Sequence, residues 1–231
     1  MKPIKDFAAS VLQAAQQTAV IEAEPPQQGR VVQRATLHEL DTTHQTIRDA
    51  IHMARMWADR KRRGDSEASI VLVGPVGTGK THIARSVLWS ICLATEDGQP
   101  IAPAGKFFLA SDLLLKFSPT STSWGGVEMP RAADIIGQVP IVVIDDIGAE
   151  GTIPYITVDN QEQERQARYF RAIDYCYTWR ISLVITSNLS IGQLQKHLGR
   201  RCWDRLSEMA PRGFMFDLTG VPSWRQKQSG R

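Results

Sequence analysis

The chain is short of cysteine, it has no long apolar run and no strong excess of either charge, and each lack removes a class of protein. Its three cysteines, Cys92, Cys176 and Cys202, are odd in number and widely spaced with no C-x-x-C pair. Neither a disulfide framework nor a zinc site can be built from them. Two of the three fall at apolar helical positions, which reads as core. No apolar stretch approaches the roughly 20 residues needed to cross a bilayer. A net charge of +3 is too modest to demand a nucleic-acid partner. Residues 1–10 carry Lys2, Lys5 and Asp6 without a following apolar block or cleavage site, so the expected location is the cytoplasm. Internal repeats and low-complexity tracts are also lacking. What remains is 42% apolar and 22% charged residues in 231 positions. That suits one main α/β domain with an appendage and leaves too little chain for two ordinary domains.

What is present begins with Gly74-Pro-Val-Gly-Thr-Gly-Lys-Thr81, directly after an apolar run at 69–73 and directly before a helical pattern. In the pattern G-x-x-x-x-G-K-[ST], glycines let backbone N–H groups close around phosphates, the lysine neutralises the β and γ oxygens, and the hydroxyl holds magnesium. Here the binding stretch is Gly74, Pro75, Val76, Gly77, Thr78, Gly79, Lys80, Thr81 and His82. The following helix places Ile83, Ala84, Val87, Leu88, Ile91 and Cys92 on one face, so its N-terminal dipole points at the phosphates. Strand, loop and helix in that order predict a nucleotide triphosphate site.

Residues 4–21 set Ile4, Phe7, Val11, Ala15 and Ala19 along one helical face, and Pro25 to Gly29 form a linker. An amphipathic helix on such a tether predicts a partner-docking arm over residues 1–40, with folding back onto its own domain as the alternative. A second helix, about 43–62, buries Ile47, Ala50, Ile51, Ala54, Trp57 and Ala58. Strands are predicted at 69–73, 106–110, 140–145, 181–186 and 214–218, with helical patterns between most of them. This alternation predicts a three-layer α/β sandwich on a mostly parallel five-stranded sheet over 41–231. Residues 118–130 show no periodicity and read as a long loop.

Two charged features stand apart. From residue 196 to 231 eight basic residues face three acidic ones, a local excess of +5, and a basic run occupies 60–63. Each could contact phosphates or be a solvated helix end. The strand at 140–145 runs into Asp145 and Asp146, the pair a phosphate-loop enzyme needs beside its nucleotide. Asp145 suits a magnesium ligand and Asp146 the polarising of an attacking water, with a turn role for Asp146 before Gly148 as the alternative. The next strand ends in Asn188, which could position that water or simply make a turn.

The succession Gly74 to Thr81, Val143-Ile-Asp-Asp-Ile-Gly148, Ile185-Thr-Ser-Asn-Leu189 and Leu198-Gly-Arg-Arg-Cys-Trp-Asp-Arg-Leu206 resembles the AAA+ ATPases of the helicase-loader group, the DnaC/IstB-like family. The resemblance spans about 43–225 and includes the closing Ser223-Trp224-Arg225. It implies ATP and magnesium as cofactors, Asn188 as the sensor-1 residue and Arg205 as an arginine finger reaching a neighbouring subunit's γ-phosphate in a homo-oligomer. Arg201 competes for that role, and an ion pair of Arg205 with Asp204 or Glu208 is the plainer reading. Only 13 residues follow 214–218, so the helical lid of many AAA+ proteins is not expected. The resemblance further implies single-stranded DNA as a ligand, with Lys116, Phe117, Trp124 and Arg131 as contacts; for Phe117 packing beside Leu113 and Leu114 is the alternative. A hexameric replicative helicase is the partner expected at the arm. The rival within the family is a transposition helper that assembles on duplex DNA and activates a transposase. A small-molecule kinase lacks an arginine-rich lid here, and a nucleotide-gated binding module without turnover remains a further alternative.

Overall fold

The computed structural model describes residues 43–64, 68–92, 105–117, 120–121, 127–128, 131–153 and 157–224, together with Leu37 and Leu40. The helix read at 4–21, its linker and Trp124 lie outside the described residues. Helix α1, Gln45–Arg62, precedes strand β1, Ile70–Val73, and helix α2, Lys80–Cys92, follows the glycine-rich loop. Strand β2, Lys106–Leu109, passes directly into helix α3, Ala110–Lys116. Strands β3, Thr120–Ser121, and β4, Val127–Glu128, pair antiparallel. The loop expected there therefore contains a small ladder, too short for period-two alternation to show in the sequence.

Helix α4, Ala132–Ile136, leads to strand β5, Ile141–Ile147, and a single 3-10 turn leads to helix α5, Gln161–Thr178. Strand β6, Ser182–Ser187, helix α6, Ile191–Leu198, helix α7, Arg200–Met209, and strand β7, Met215–Asp217, complete the chain. The main sheet has the order β2-β5-β6-β1-β7, and every pairing in it is parallel. A parallel sheet hides both faces, which is why β1, β5 and β6 carry the consecutive apolar runs 70–73, 141–144 and 183–185. Alternate residues serve opposite faces. Ile70, Leu72, Ile141 and Val143 join α1 and α2 in one cluster, while Val71, Val73, Val142 and Ile144 join α3, α5, α6 and α7 in the other.

Leu37 is buried in the cluster beneath α1 and α2, and Leu40 packs against it. Trp57, fully buried, donates its indole N–H to Ala68 O at 2.8 Å, so the one polar atom of that ring is satisfied. Lys61 in the basic run donates to Ser182 Oγ at 2.8 Å and is partly structural.

Candidate functional site

The parallel topology brings the C-terminal ends of β1, β5 and β6 to one edge of the sheet, where open α/β sheets hold their ligands. From β1 the chain enters the glycine-rich loop. Gly77 has φ +86°, and a Cβ there would overlap Ser223 Oγ, so the tail residue rests directly on the loop. The main-chain N–H of Trp224 donates to Gly77 O at 2.9 Å, and Trp224 is 41% exposed and Val76 56%. Leu40 Cδ2 abuts the far side of the loop at Gly79.

Within the loop, Lys80 is 6% exposed and donates to Gly74 O and Pro75 O, both at 2.7 Å. An ammonium has three donors, so one remains after these two bonds. Burial pushes the Lys80 ammonium below the ordinary lysine value, and the pull of Asp146 and then Asp145 opposes it. Thr78 Oγ1 donates to Pro75 O at 3.0 Å and fixes the turn. Among the described residues, no N–H of Val76, Gly77, Thr78 or Gly79 donates to a main-chain carbonyl. A cradle of unspent N–H donors around a partly desolvated ammonium, at a helix N-terminus, fits a polyphosphate. The cradle thus accepts the triphosphate that the motif predicts.

Strand β5 does not stop at the carboxylates. Ile144 pairs with Ile185 and Ile147 with Ser187, so two residues, Asp145 and Asp146, oppose the single Thr186 in a β-bulge. Asp146 takes φ +64°, a left-handed conformation that costs a non-glycine residue about 1 kcal/mol or more. Hydrogen bonds hold it there. Thr186 Oγ1 donates to Asp145 Oδ1 at 2.6 Å and accepts from Asp146 N–H at 2.9 Å; Asn188 Nδ2 donates to Asp146 Oδ1 at 2.5 Å. Consecutive residues of a flat strand point to opposite faces. The bulge breaks that rule, and Asp145, 3% exposed, and the half-buried Asp146 both lie within Coulombic reach of Lys80. Thr186 is a residue that sequence reasoning passed over, although a polar side chain directly after the apolar run Leu183 to Ile185 was a signal for it.

Glu150 was also missed. Its side chain is 3% exposed and accepts from Gly148 N–H at 2.8 Å, from the Tyr169 hydroxyl and from His197 Nε2. Burial alone would push its carboxyl up, but the bonds from His197, Tyr169 and Gly148 outweigh that and hold it at about 2. Burial, and then the Glu150 charge, raise the Tyr169 hydroxyl in turn.

The arginines divide. Arg205 Nε lies 2.5 Å from Asp174 Oδ1 but off the N–H axis, so the two form an ion pair without a formal hydrogen bond. Its partner belongs to α5, not to the sequence neighbours Asp204 and Glu208: Arg200 holds Asp204 at 3.9 Å, and Tyr177 donates to Glu208. The Arg205 guanidinium also lies over Phe170 and Tyr177, at 5.2 and 4.9 Å from their ring centres. Arg201 is exposed, stacks over Phe170 at 4.1 Å and makes no ion pair among the described residues. Of the expected DNA contacts, Phe117 is fully buried among Leu113, Leu114 and Ile136. Its ring cannot stack on a base, and the packing alternative is the correct one. Lys116 is exposed, and Arg131 is exposed and 3.4 Å from Asp134.

A family model described as IstB-like ATP binding protein matches residues 29–204. The chain belongs to that family. No curated protein shows significant sequence similarity to it. Among solved structures this IstB-like protein is similar to DnaI, with TM-score 0.59 and 21% identity over 82% of this chain and 90% of that one. It is similar also to the DnaC helicase loader, with TM-score 0.55 and 19% identity over 79% of this chain and 96% of that one. AMPPCP-bound DnaA from Aquifex aeolicus matches with TM-score 0.50 and 15% identity, over 80% of this chain and half of that one. These likenesses bear out the phosphate-loop sandwich expected from the sequence. No helix among the described residues of the IstB-like chain is long and apolar enough to cross a membrane.

Proposed function

We propose that this IstB-like protein is an ATP-dependent helicase loader, which binds ATP and magnesium between subunits, grips single-stranded DNA and delivers a hexameric replicative helicase held by its N-terminal arm. The observation that supports this most is the Asp145–Asp146 bulge, locked by Thr186 and Asn188 within reach of Lys80. A mere binding module has no need of a strained second carboxylate.

In this reading Lys80 and the loop N–H groups hold the triphosphate. Thr81 Oγ and Asp145 would hold magnesium. So small a protein ligand set suits an ion that keeps water and phosphate oxygens as its other ligands, and among the described residues no three His, Cys, Asp or Glu side chains gather. Bound there, the ion would neutralise charge on the β and γ phosphates. Asp146, whose carboxylate Asn188 orients, draws the proton of the attacking water. The neighbouring subunit contributes an arginine. Arg205 is the one that the family resemblance implies, after it leaves Asp174, and Arg201, exposed and without an ion pair among the described residues, is the second. Lys116 and Arg131 remain as DNA contacts, with Trp124 outside the described residues.

The deciding experiment mixes the protein with candidate helicase, with and without residues 1–28, and measures complex formation. The truncation stops short of Leu37 and Leu40 because both pack on the core. Loss of the complex on truncation supports the arm as the dock; an intact complex refutes it. The IstB-like family match favours one other reading, a transposition helper on duplex DNA. Co-purification with a transposase, and phosphate release stimulated by duplex rather than single-stranded DNA, would establish that one instead.

A further inference from the structure

Glu150 sits two residues past Gly148, in the turn that follows the carboxylate bulge, yet its oxygens are used by groups from three different elements. Gly148 N–H binds it from its own turn, Tyr169 from α5, and His197 from α6. His197 Nε2 lies 3.2 Å from both carboxylate oxygens, and its ring packs at 6.1 Å from that of Tyr169. A carboxylate held at about 2 only accepts, so His197 carries its proton on Nε2. The other end of α6 is tied to the same turn. Asn188, two residues before the Ser190 cap, binds Asp146, and Leu189 fills the space that a Cβ of Gly148 would need. Helix α6 is therefore fastened to the carboxylate turn at both ends. A single residue, Gly199, separates it from α7, and Gly199 O accepts from Trp203 N–H, so the two helices are joined almost without slack. Arg201 and Arg205 ride on α7.

We propose that Glu150 is a positioning residue, which through His197 carries the state of a subunit's own nucleotide from the Asp145–Asp146 turn to the arginine helix it offers its neighbour. The inference rests on the nucleotide reading above. Asp146 and Asn188 shift when a γ-phosphate arrives; Glu150 transmits that shift to the C-terminal half of α6, and α7 moves with it. Without the Glu150 to His197 link, only the Asn188 end is pulled and α7 keeps its resting place.

The test is hydrogen exchange of the full chain with and without a non-hydrolysable ATP analogue, read at the amides of residues 200–209. In the wild type the analogue should slow exchange there by about 2- to 30-fold, the range of coupling carried by such networks. His197→Leu should melt somewhat lower, because the buried Glu150 loses a donor, and should bind the analogue as the wild type does below that temperature, but show no slowing at 200–209. His197→Gln, which keeps a donor near the Nε2 position, should restore it. Glu150→Gln combined with His197→Leu should do no more than either alone. Slowing at 200–209 that survives in His197→Leu, or that is missing from a wild type that binds the analogue, overturns the proposal and leaves ATP binding intact. A wild type that binds no analogue removes the nucleotide reading and this one with it.

Discussion

Asp146 is held at φ +64° by bonds to its N–H and to its carboxylate, and both follow from the side chain being short, polar and able to accept. Asparagine tolerates the left-handed region nearly as well as aspartate. Asp146→Asn should therefore keep the wild-type melting temperature and ATP affinity, while single-turnover phosphate release falls by about 10²- to 10⁴-fold, the usual contribution of a positioned base. Lys80 gives the complementary result. Its charge-assisted bonds to phosphate are worth about 1.5 to 3 kcal/mol each, so Lys80→Ala should weaken ATP by at least about tenfold in a calorimetric titration. Glu150 sets a dependence on pH. Its folded carboxyl lies at about 2 against an ordinary 4.5, so the fold favours the ionised form. That stabilisation is complete above the unfolded value and is lost as pH falls from about 4.5 toward 2. Melting curves should show the wild type more stable than Glu150→Gln at pH 6, with the gap closing toward pH 2; a gap that widens on acidification would contradict the assignment.

Helix α6 carries a complete capping box, in which Ser190 Oγ accepts from Gln193 N–H and Gln193 Oε1 accepts from Ser190 N–H. Ser190→Ala should cost about 1 kcal/mol, or about 2 to 4 °C in melting temperature for a domain of this size. Helix α3 ends on Phe117, whose ring is core, so Phe117→Ala should cost about 3 to 5 kcal/mol. Any loss of DNA binding in that variant should track unfolding measured by circular dichroism. The central strands and α1 were legible because burial on both faces, or on one stripe, leaves its period in the sequence. The bulge was not, because β5 is apolar up to Asp145 whether or not Thr186 faces two residues. Nor was the ion pair of Arg205. Sequence distance offers Asp204 and Glu208, and only the packing of α7 on α5 presents Asp174. The motif residues Lys80, Asp145, Asp146 and Asn188 were legible as chemistry, while the groups that orient them, Thr186 and Glu150, sit where a local reading sees only a strand and a turn.

At the scale of the molecule, the sheet separates the α1 and α2 face from the face of α5 to α7 that carries the arginines. In the proposed assembly the arginines of α7 serve a neighbour's nucleotide, so one subunit alone would not complete the site. Specific ATPase activity should rise with protein concentration, and mixing Lys80→Ala with Arg205→Ala subunits should restore part of what each lacks alone. Turnover independent of concentration would point to a complete site within one chain. The pair of Arg205 with Asp174 sets the terms of that association. Both side chains are about a third exposed, so the pair is worth about 0.2 to 1 kcal/mol, too little to hold the arginine against a triphosphate but enough to satisfy it beside an empty loop. In the proposed assembly, docking would exchange one anion for another, favourable when the neighbour holds a γ-phosphate and close to neutral when it does not. Nucleotide would act as the adhesive between copies, and hydrolysis as its solvent.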